Sequence, residues 1–131
     1  MIFKPPVLAS ASLLAAMANG TSAVAQETRS PYAQIAEIEI DPAQLEAYKA
    51  AVREHAETAV RVEPGVLALY VVSVKDHPTH LRVFEIYASP EAYRAHLEAP
   101  HFKKYKATTE KMVQTLTLVP ADPVALAGKA S

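Results

Sequence analysis

The alternation of apolar and polar positions divides the chain into an apolar head, a series of amphipathic elements and a polar tail. Tyr32-Ala-Gln-Ile-Ala-Glu-Ile-Glu-Ile40 places Ile38 and Ile40 on one face and Glu37 and Glu39 on the other, which predicts a first strand. Asp41-Pro42 predicts a helix start, with Gln44 placed to reach back as in a capping box. That helix runs to about Val62. Leu45, Tyr48, Val52, Ala56 and Ala59 recur at three- and four-residue steps and form its buried stripe. Glu46, Lys49, Arg53, Glu57 and Arg61 form its solvated side, and His55, lying among glutamates, reads as a surface residue. Glu63-Pro64-Gly65 reads as a stop and a turn.

Val66 to Val74 predicts a second strand that is apolar on both faces, with Leu67, Leu69 and Val71 on one side and Val66, Ala68, Tyr70 and Val72 on the other. Lys75 to Thr79 reads as a hairpin loop, and His80 to Tyr87 returns as the third strand. Ser89-Pro90 then supplies a hydroxyl cap followed by proline at the first helical position. Pro100 closes this short helix and opens another, whose inward stripe is Phe102, Tyr105, Thr109, Met112 and Leu116. Thr115 to Val119 predicts a fourth strand closed by Pro120.

The order β-α-β-β-α-β predicts an α+β, ferredoxin-like fold, with the helices on one face of a four-stranded antiparallel sheet. One helical layer cannot cover two apolar faces of the second strand. A second copy packed sheet against sheet, in a two-fold homodimer, is the economical cover. The alternative cover is the chain's own tail, which is short and alanine-rich.

Composition narrows the chemistry. The head carries Lys4 as its only charge before Glu27, an apolar run from Val7 to Met17, and Ala23-Val24-Ala25 in the small-x-small form of a cleavage site. It is expected to be a secretory signal peptide over residues 1–25, too short in its apolar run for the roughly 20 residues of a membrane span. A leader over 26–31, a domain over 32–120 and a flexible tail over 121–131 follow, and the mature protein is expected in the periplasm or outside the cell. With 13 basic and 14 acidic residues the chain lacks the basic surface of a nucleic-acid binder. It has no cysteine and 3 glycines, which exclude iron–sulfur clusters, thiolate chemistry and glycine-rich phosphate loops.

Chemistry is expected at the helix break, where Tyr87, Tyr93, Phe102 and Tyr105 crowd two imidazoles, His96 and His101. His96 reads either as a general base for a phenolic hydroxyl or as a core histidine bonded to a carbonyl. His101 either lines the mouth of the same pocket or caps its own helix. Tyr87 either orients a ring or fills the core. Glu85 shares a strand face with Tyr87 and could hold a histidine tautomer, or could be an exposed strand glutamate. Tyr70 joins Tyr87, Tyr93, His101, Phe102 and Tyr105 as a candidate substrate contact. His77 and His80 have a metal-like spacing but no third ligand nearby in the sequence, so no metal site is expected there.

The segment Tyr93-Arg-Ala-His-Leu-Glu-Ala-Pro-His-Phe-Lys-Lys-Tyr105 closely resembles the helix-break segment of the antibiotic biosynthesis monooxygenase family, especially its quinol monooxygenase-like members. Ile35 to Ile38, Glu63 to Val66 and Phe84 to Ser89 fall where that family has its first strand, its turn and its third strand. The resemblance spans residues 32 to 119. It implies a dimeric α/β barrel and oxygenation of quinols or polycyclic phenols by dioxygen without metal, flavin or haem. On it, His96 is the base, Glu85 its orienter, and Tyr87, His101, Phe102 and Tyr105 the pocket wall. Many relatives carry tryptophan at the place of Tyr87, and this chain has none. Haem-degrading relatives use an asparagine, a tryptophan and a histidine where this chain has Ala36, His96 and Lys106, which disfavours haem degradation. The expected partners are therefore a small aromatic substrate, dioxygen and a second copy, with neither nucleic acid nor stable membrane insertion. The alternative function is a non-catalytic dimer that carries a small aromatic or hydrophobic ligand.

Overall fold

Four antiparallel strands and three helices make up a computed structural model that describes residues 30–129. The elements are β1 (Tyr32–Ile40), α1 (Leu45–Val62), β2 (Val66–Val74), β3 (His77–Tyr87), α2 (Pro90–Glu98), α3 (Pro100–Thr109) and β4 (Val113–Ala121). The sheet order is β2-β3-β1-β4, and every neighbouring pair is antiparallel. This is the predicted ferredoxin-like arrangement, with its second helical segment split in two. The sheet of one chain is open, not closed into a barrel. The expected signal peptide, and the leader up to residue 29, lie outside the described residues.

Short-range chemistry sets the element ends. The Asp41 carboxylate accepts the Ala43 N–H at 3.0 Å and starts a single 3-10 turn, Pro42–Gln44, that leads into α1. Gln44 makes no side-chain cap, so the expected capping box does not form; the intervening turn leaves Gln44 at the flank of α1, not inside it. At the start of α2, Ser89 Oγ accepts the Ala92 N–H at 3.1 Å. The ring of Pro100 disfavours helical backbone at Ala99, which is extended (φ −68°, ψ 143°), and α3 begins afresh beyond it.

Several details differ from the sequence reading: α3 ends at Thr109, so Met112 and Leu116 of the expected stripe lie beyond it, and β4 begins at Val113 and not at Thr115. The β2–β3 loop is Lys75-Asp76, not five residues: Asp76 takes up the left-handed conformation (φ 67°) that a two-residue hairpin needs. His77, Pro78 and Thr79 belong to β3, and Pro78 costs no ladder bond to β1, because that pairing ends at His80. At the other end of the chain, β4 runs through Pro120 to Ala121, because β4 is an edge strand and tolerates a missing N–H. In β2 a register shift between Val66 and Ala68 puts Val66 on the helix side with Leu69 and Val71, while Leu67 faces solvent.

The core lies between helices and sheet. Ala36, Ile38, Ile40, Tyr48, Val52, Leu81 and Val83 form its main cluster, and Ala59, Val66 and Tyr87 a second. Gly65 is required where the turn before β2 meets the start of α2. A Cβ there would stand 2.6 Å from Ala92 Cβ, and the Gly65 carbonyl accepts the Ala88 N–H at 2.8 Å. The opposite face of the sheet carries Glu37, Glu39 and Arg82 toward one end and an apolar patch, uncovered in a single chain, toward the other. Tyr70 (67% exposed), Val72, Phe84 and Val119 lie on it, beside Ile35, which pairs with both Phe84 and Val119.

Candidate active site

The break between α2 and α3 brings side chains from α1, β3, α2 and α3 to one corner. A cavity of about 80 Å³ lies between helices and sheet, lined by His55 from α1, Glu85 from β3, His96 from α2, and Phe102 and Tyr105 from α3. Lys106 and Leu116, both exposed, form its rim.

His96 is 2% exposed. Its Nδ1 lies 2.7 Å from Glu63 Oε2, and His101 Nε2 lies 2.5 Å from the same oxygen. A carboxylate only accepts, so both ring nitrogens donate to it. With Nδ1 bound, the nitrogen that His96 offers a guest is Nε2. The carboxylate that orients His96 is therefore Glu63, not Glu85. In the sequence Glu63 reads only as the end of α1, and its functional signal was the pair of histidines that the Pro100 break turns toward it.

His55 is buried (8% exposed), in contrast to its sequence reading. The rhythm of α1 is Tyr48, Val52, His55, Ala59, which follows the 3-4 repeat of an inward stripe as well as a stripe through Ala56 does. Its ring stacks on Tyr105, centroids 4.6 Å apart and planes 14° from parallel, and it lies against both His96 and His101. Burial, followed by the neighbouring His96 and His101, lowers its pKa to about 4, so it is neutral at pH 7. Its Nδ1 has no hydrogen-bond partner.

Glu85 belongs to a separate chain of hydrogen bonds. Tyr87 Oη donates to it at 2.5 Å and Gln34 Nε2 at 3.3 Å, while Tyr32 Oη donates to Gln34 Oε1 at 3.2 Å. Burial raises the Glu85 pKa, opposed by the bonds from Tyr87 and Gln34. Tyr87 is fully buried, and desolvation, then the Glu85 charge, raises its own pKa. Tyr105 shares a 2.6 Å hydroxyl–hydroxyl bond with Tyr48, and burial raises both.

The corner thus gathers His96, Glu85, Phe102 and Tyr105 around the cavity and His101 behind His96. Tyr87 and Tyr93 pack beside it, Tyr93 stacked on Tyr32 at 4.8 Å. Tyr70 is on the far face of the sheet. His77 and His80 have ring centroids 5.6 Å apart near the hairpin, and His80 Nδ1 lies 3.8 Å from Glu39. Among the described residues, the group able to hold a metal ion is Glu63, His96 and His101, with ligand atoms all within 4.8 Å of one another. Also among these residues, no helix is long and apolar enough to cross a membrane.

The sequence matches the profile described as antibiotic biosynthesis monooxygenase over residues 31–108. A candidate antibiotic biosynthesis monooxygenase from Bacteroides thetaiotaomicron superposes with a TM-score of 0.74 at 43% identity, covering 79% of this chain and 99% of that one. One from Chloroflexus aurantiacus gives 0.67 at 26% identity, covering 76% and 98%. Another, from Nitrosomonas europaea, gives 0.70 at 24% identity over 75% and 94%, a likeness of fold alone. A comparison with proteins of curated function gave no match. The profile match takes in the strands, the Glu63 turn and the broken helix that build the corner, and the chain belongs to the antibiotic biosynthesis monooxygenase family.

Proposed function

We propose that the protein is a cofactor-independent monooxygenase that oxidises a quinol or related phenol with dioxygen. The observation that carries this reading is the 2.7 Å bond from His96 Nδ1 to Glu63, on a buried histidine that lines an apolar cavity. A carboxylate fixed on one nitrogen holds the tautomer and steadies the positive charge that develops when the other nitrogen takes a proton. His96 Nε2 removes the phenolic proton. The resulting anion is electron-rich enough to reduce dioxygen directly, and a dry cavity limits stray reactions of the intermediate. Atoms and electrons balance: quinol plus dioxygen gives hydroxyquinone plus water, with one oxygen atom on the ring and the other in the water. The substrate supplies all four electrons.

Phe102 and Tyr105 supply aromatic wall, and the neutral His55 supplies a nitrogen free to bond a ligand oxygen. The cavity is about half the roughly 150 Å³ of a cavity that holds benzene. A bicyclic guest therefore enters by displacing the rim side chains, Lys106 and Leu116.

The working unit in this reading is a homodimer formed through the uncovered sheet face, exported after removal of residues 1–25. The test is oxygen uptake with a panel of reduced naphthoquinols, comparing wild type with His96→Ala. Uptake above autoxidation that collapses in the variant is expected. Uptake equal in both proteins, or absent with every quinol, overturns the reading. Thermal stabilisation by quinones without turnover would instead favour a carrier.

A further inference from the structure

The geometry points to a divalent transition-metal site at Glu63, His96 and His101. It shares His96 and Glu63 with the oxygenation reading but does not rest on that reading, which needs no metal. Two imidazole nitrogens and one carboxylate oxygen are a donor set suited to zinc and its neighbours, with the softer anionic ligands absent. The three atoms come from three separate places in the fold: the C-terminal cap of α1, the last turn of α2 and the first turn of α3. They lie within 4.8 Å of one another before any ion is considered, so little ordering remains to be done on binding.

The present spacing is that of a proton-bridged cluster. An ion with ligands at about 2.0–2.2 Å needs donor atoms roughly 3.3 Å apart in tetrahedral geometry. The nitrogens stand 2.7 and 2.5 Å from Glu63 Oε2, so each must draw back from that oxygen by less than about 1 Å, while the two nitrogens, within 4.8 Å of each other, settle at the same spacing. Each ligating nitrogen must then present a lone pair. His96 therefore moves its proton from Nδ1 to Nε2 and His101 from Nε2 to Nδ1, each ring staying neutral.

Two further observations converge on this place. His55 Nδ1 is buried without a partner, and the His55 ring lies 5.1 Å from that of His96 and 5.7 Å from that of His101, centroid to centroid. An ion in the cluster, through a water bound to it, would give that nitrogen the bond it lacks. The cluster also has an entry path. A surface groove lined by Glu54, His55, Thr58, His101 and Lys104 reaches His101, and His101 and Glu63 retain partial exposure.

Cobalt(II) and zinc(II) are the probes. The full domain, stripped with a chelator, is titrated with cobalt(II) while its visible absorption is read, and zinc(II) is then added in competition. One equivalent per chain is expected, with ligand-field bands of a four- or five-coordinate ion that zinc abolishes. Glu63→Gln and His101→Ala are each expected to weaken binding more than about tenfold, while the double variant His77→Ala/His80→Ala leaves it unchanged. Circular dichroism separates loss of the site from loss of the fold, and the wild-type cobalt spectrum stands whatever the variants do. A wild-type protein that stays colourless at millimolar cobalt, or binding that vanishes with the hairpin histidines and survives Glu63→Gln, overturns the proposal. Oxygen uptake by the chelated protein tests the oxygenation reading separately, so either can fail alone.

Discussion

The ring of His55 lies flat on that of Tyr105, centroids 4.6 Å apart, and shares the interior with His96 and His101. A third imidazole in that space is tolerated only without charge, because burial and its two imidazole neighbours both oppose protonation.

That arrangement makes folding sensitive to acid. The folded His55 has a pKa of about 4, below the roughly 6.5 of an exposed histidine, so between those values the unfolded chain binds a proton that the folded one does not. The stability present above pH 6.5 therefore falls as pH drops toward 4, by on the order of 2 kcal/mol from this residue. The groups that face it are His96, His101, Tyr105 and the Glu63 carboxylate, the last favouring protonation. Urea unfolding at pH 7 and pH 5 measures the loss. His55→Phe, which keeps a ring against Tyr105, is expected to flatten the pH dependence.

Glu63→Gln keeps an oxygen for one imidazole N–H but removes the charge that steadies a protonated His96. Oxygen uptake is expected to fall about 100-fold in kcat, with KM changed little. A variant with wild-type kcat would show that the carboxylate plays no part in the proton transfer.

Gly65→Ala would bring a methyl group to 2.6 Å from Ala92 Cβ, where the turn before β2 meets α2. One of the two segments must shift, and the expected cost is about 1–3 kcal/mol. Chemical denaturation measures it, and Gly65→Ala combined with Ala92→Gly is expected to recover most of the loss.

On the uncovered sheet face, Tyr70→Lys and Phe84→Lys introduce charges into an apolar patch that the proposed partner would bury. Sedimentation equilibrium is expected to show a dimer for wild type and a monomer for the double variant, with unchanged far-ultraviolet circular dichroism. A wild-type monomer at micromolar concentration would remove the dimer.

For the N-terminus, intact mass of protein recovered from the periplasm of an expressing bacterium is expected to correspond to a chain starting at Gln26. A mass that includes Met1 would remove the export proposal.

Much of the fold was legible because its signals are local. Ser89-Pro90, Pro100 and the apolar rhythm of α1 each act over one or two turns, and they placed the helices and the break. The errors arose where a neighbour far along the chain decides. Whether Pro120 ends a strand depends on β4 being at the sheet edge, and whether Val66 faces in or out depends on the bulge against β3. The site divides the same way. His96 and His101 announce themselves beside the break, but Glu63 is 33 residues before the nearer of them and looks like an ordinary helix end. His55 reads as a surface residue because its sequence neighbours are charged, although the rings of His96, His101, Phe102 and Tyr105 that enclose it come from α2 and α3.

Along one uninterrupted α-helix, side chains five residues apart diverge by about 140° around the axis. His96 and His101 could not then both address a single oxygen atom. By restarting the spiral, Pro100 resets its phase, and the convergence of the two rings becomes a property of the backbone path. Pro100→Ala, a change of one residue that touches neither imidazole, would therefore be enough to pull them apart wherever the two segments fuse.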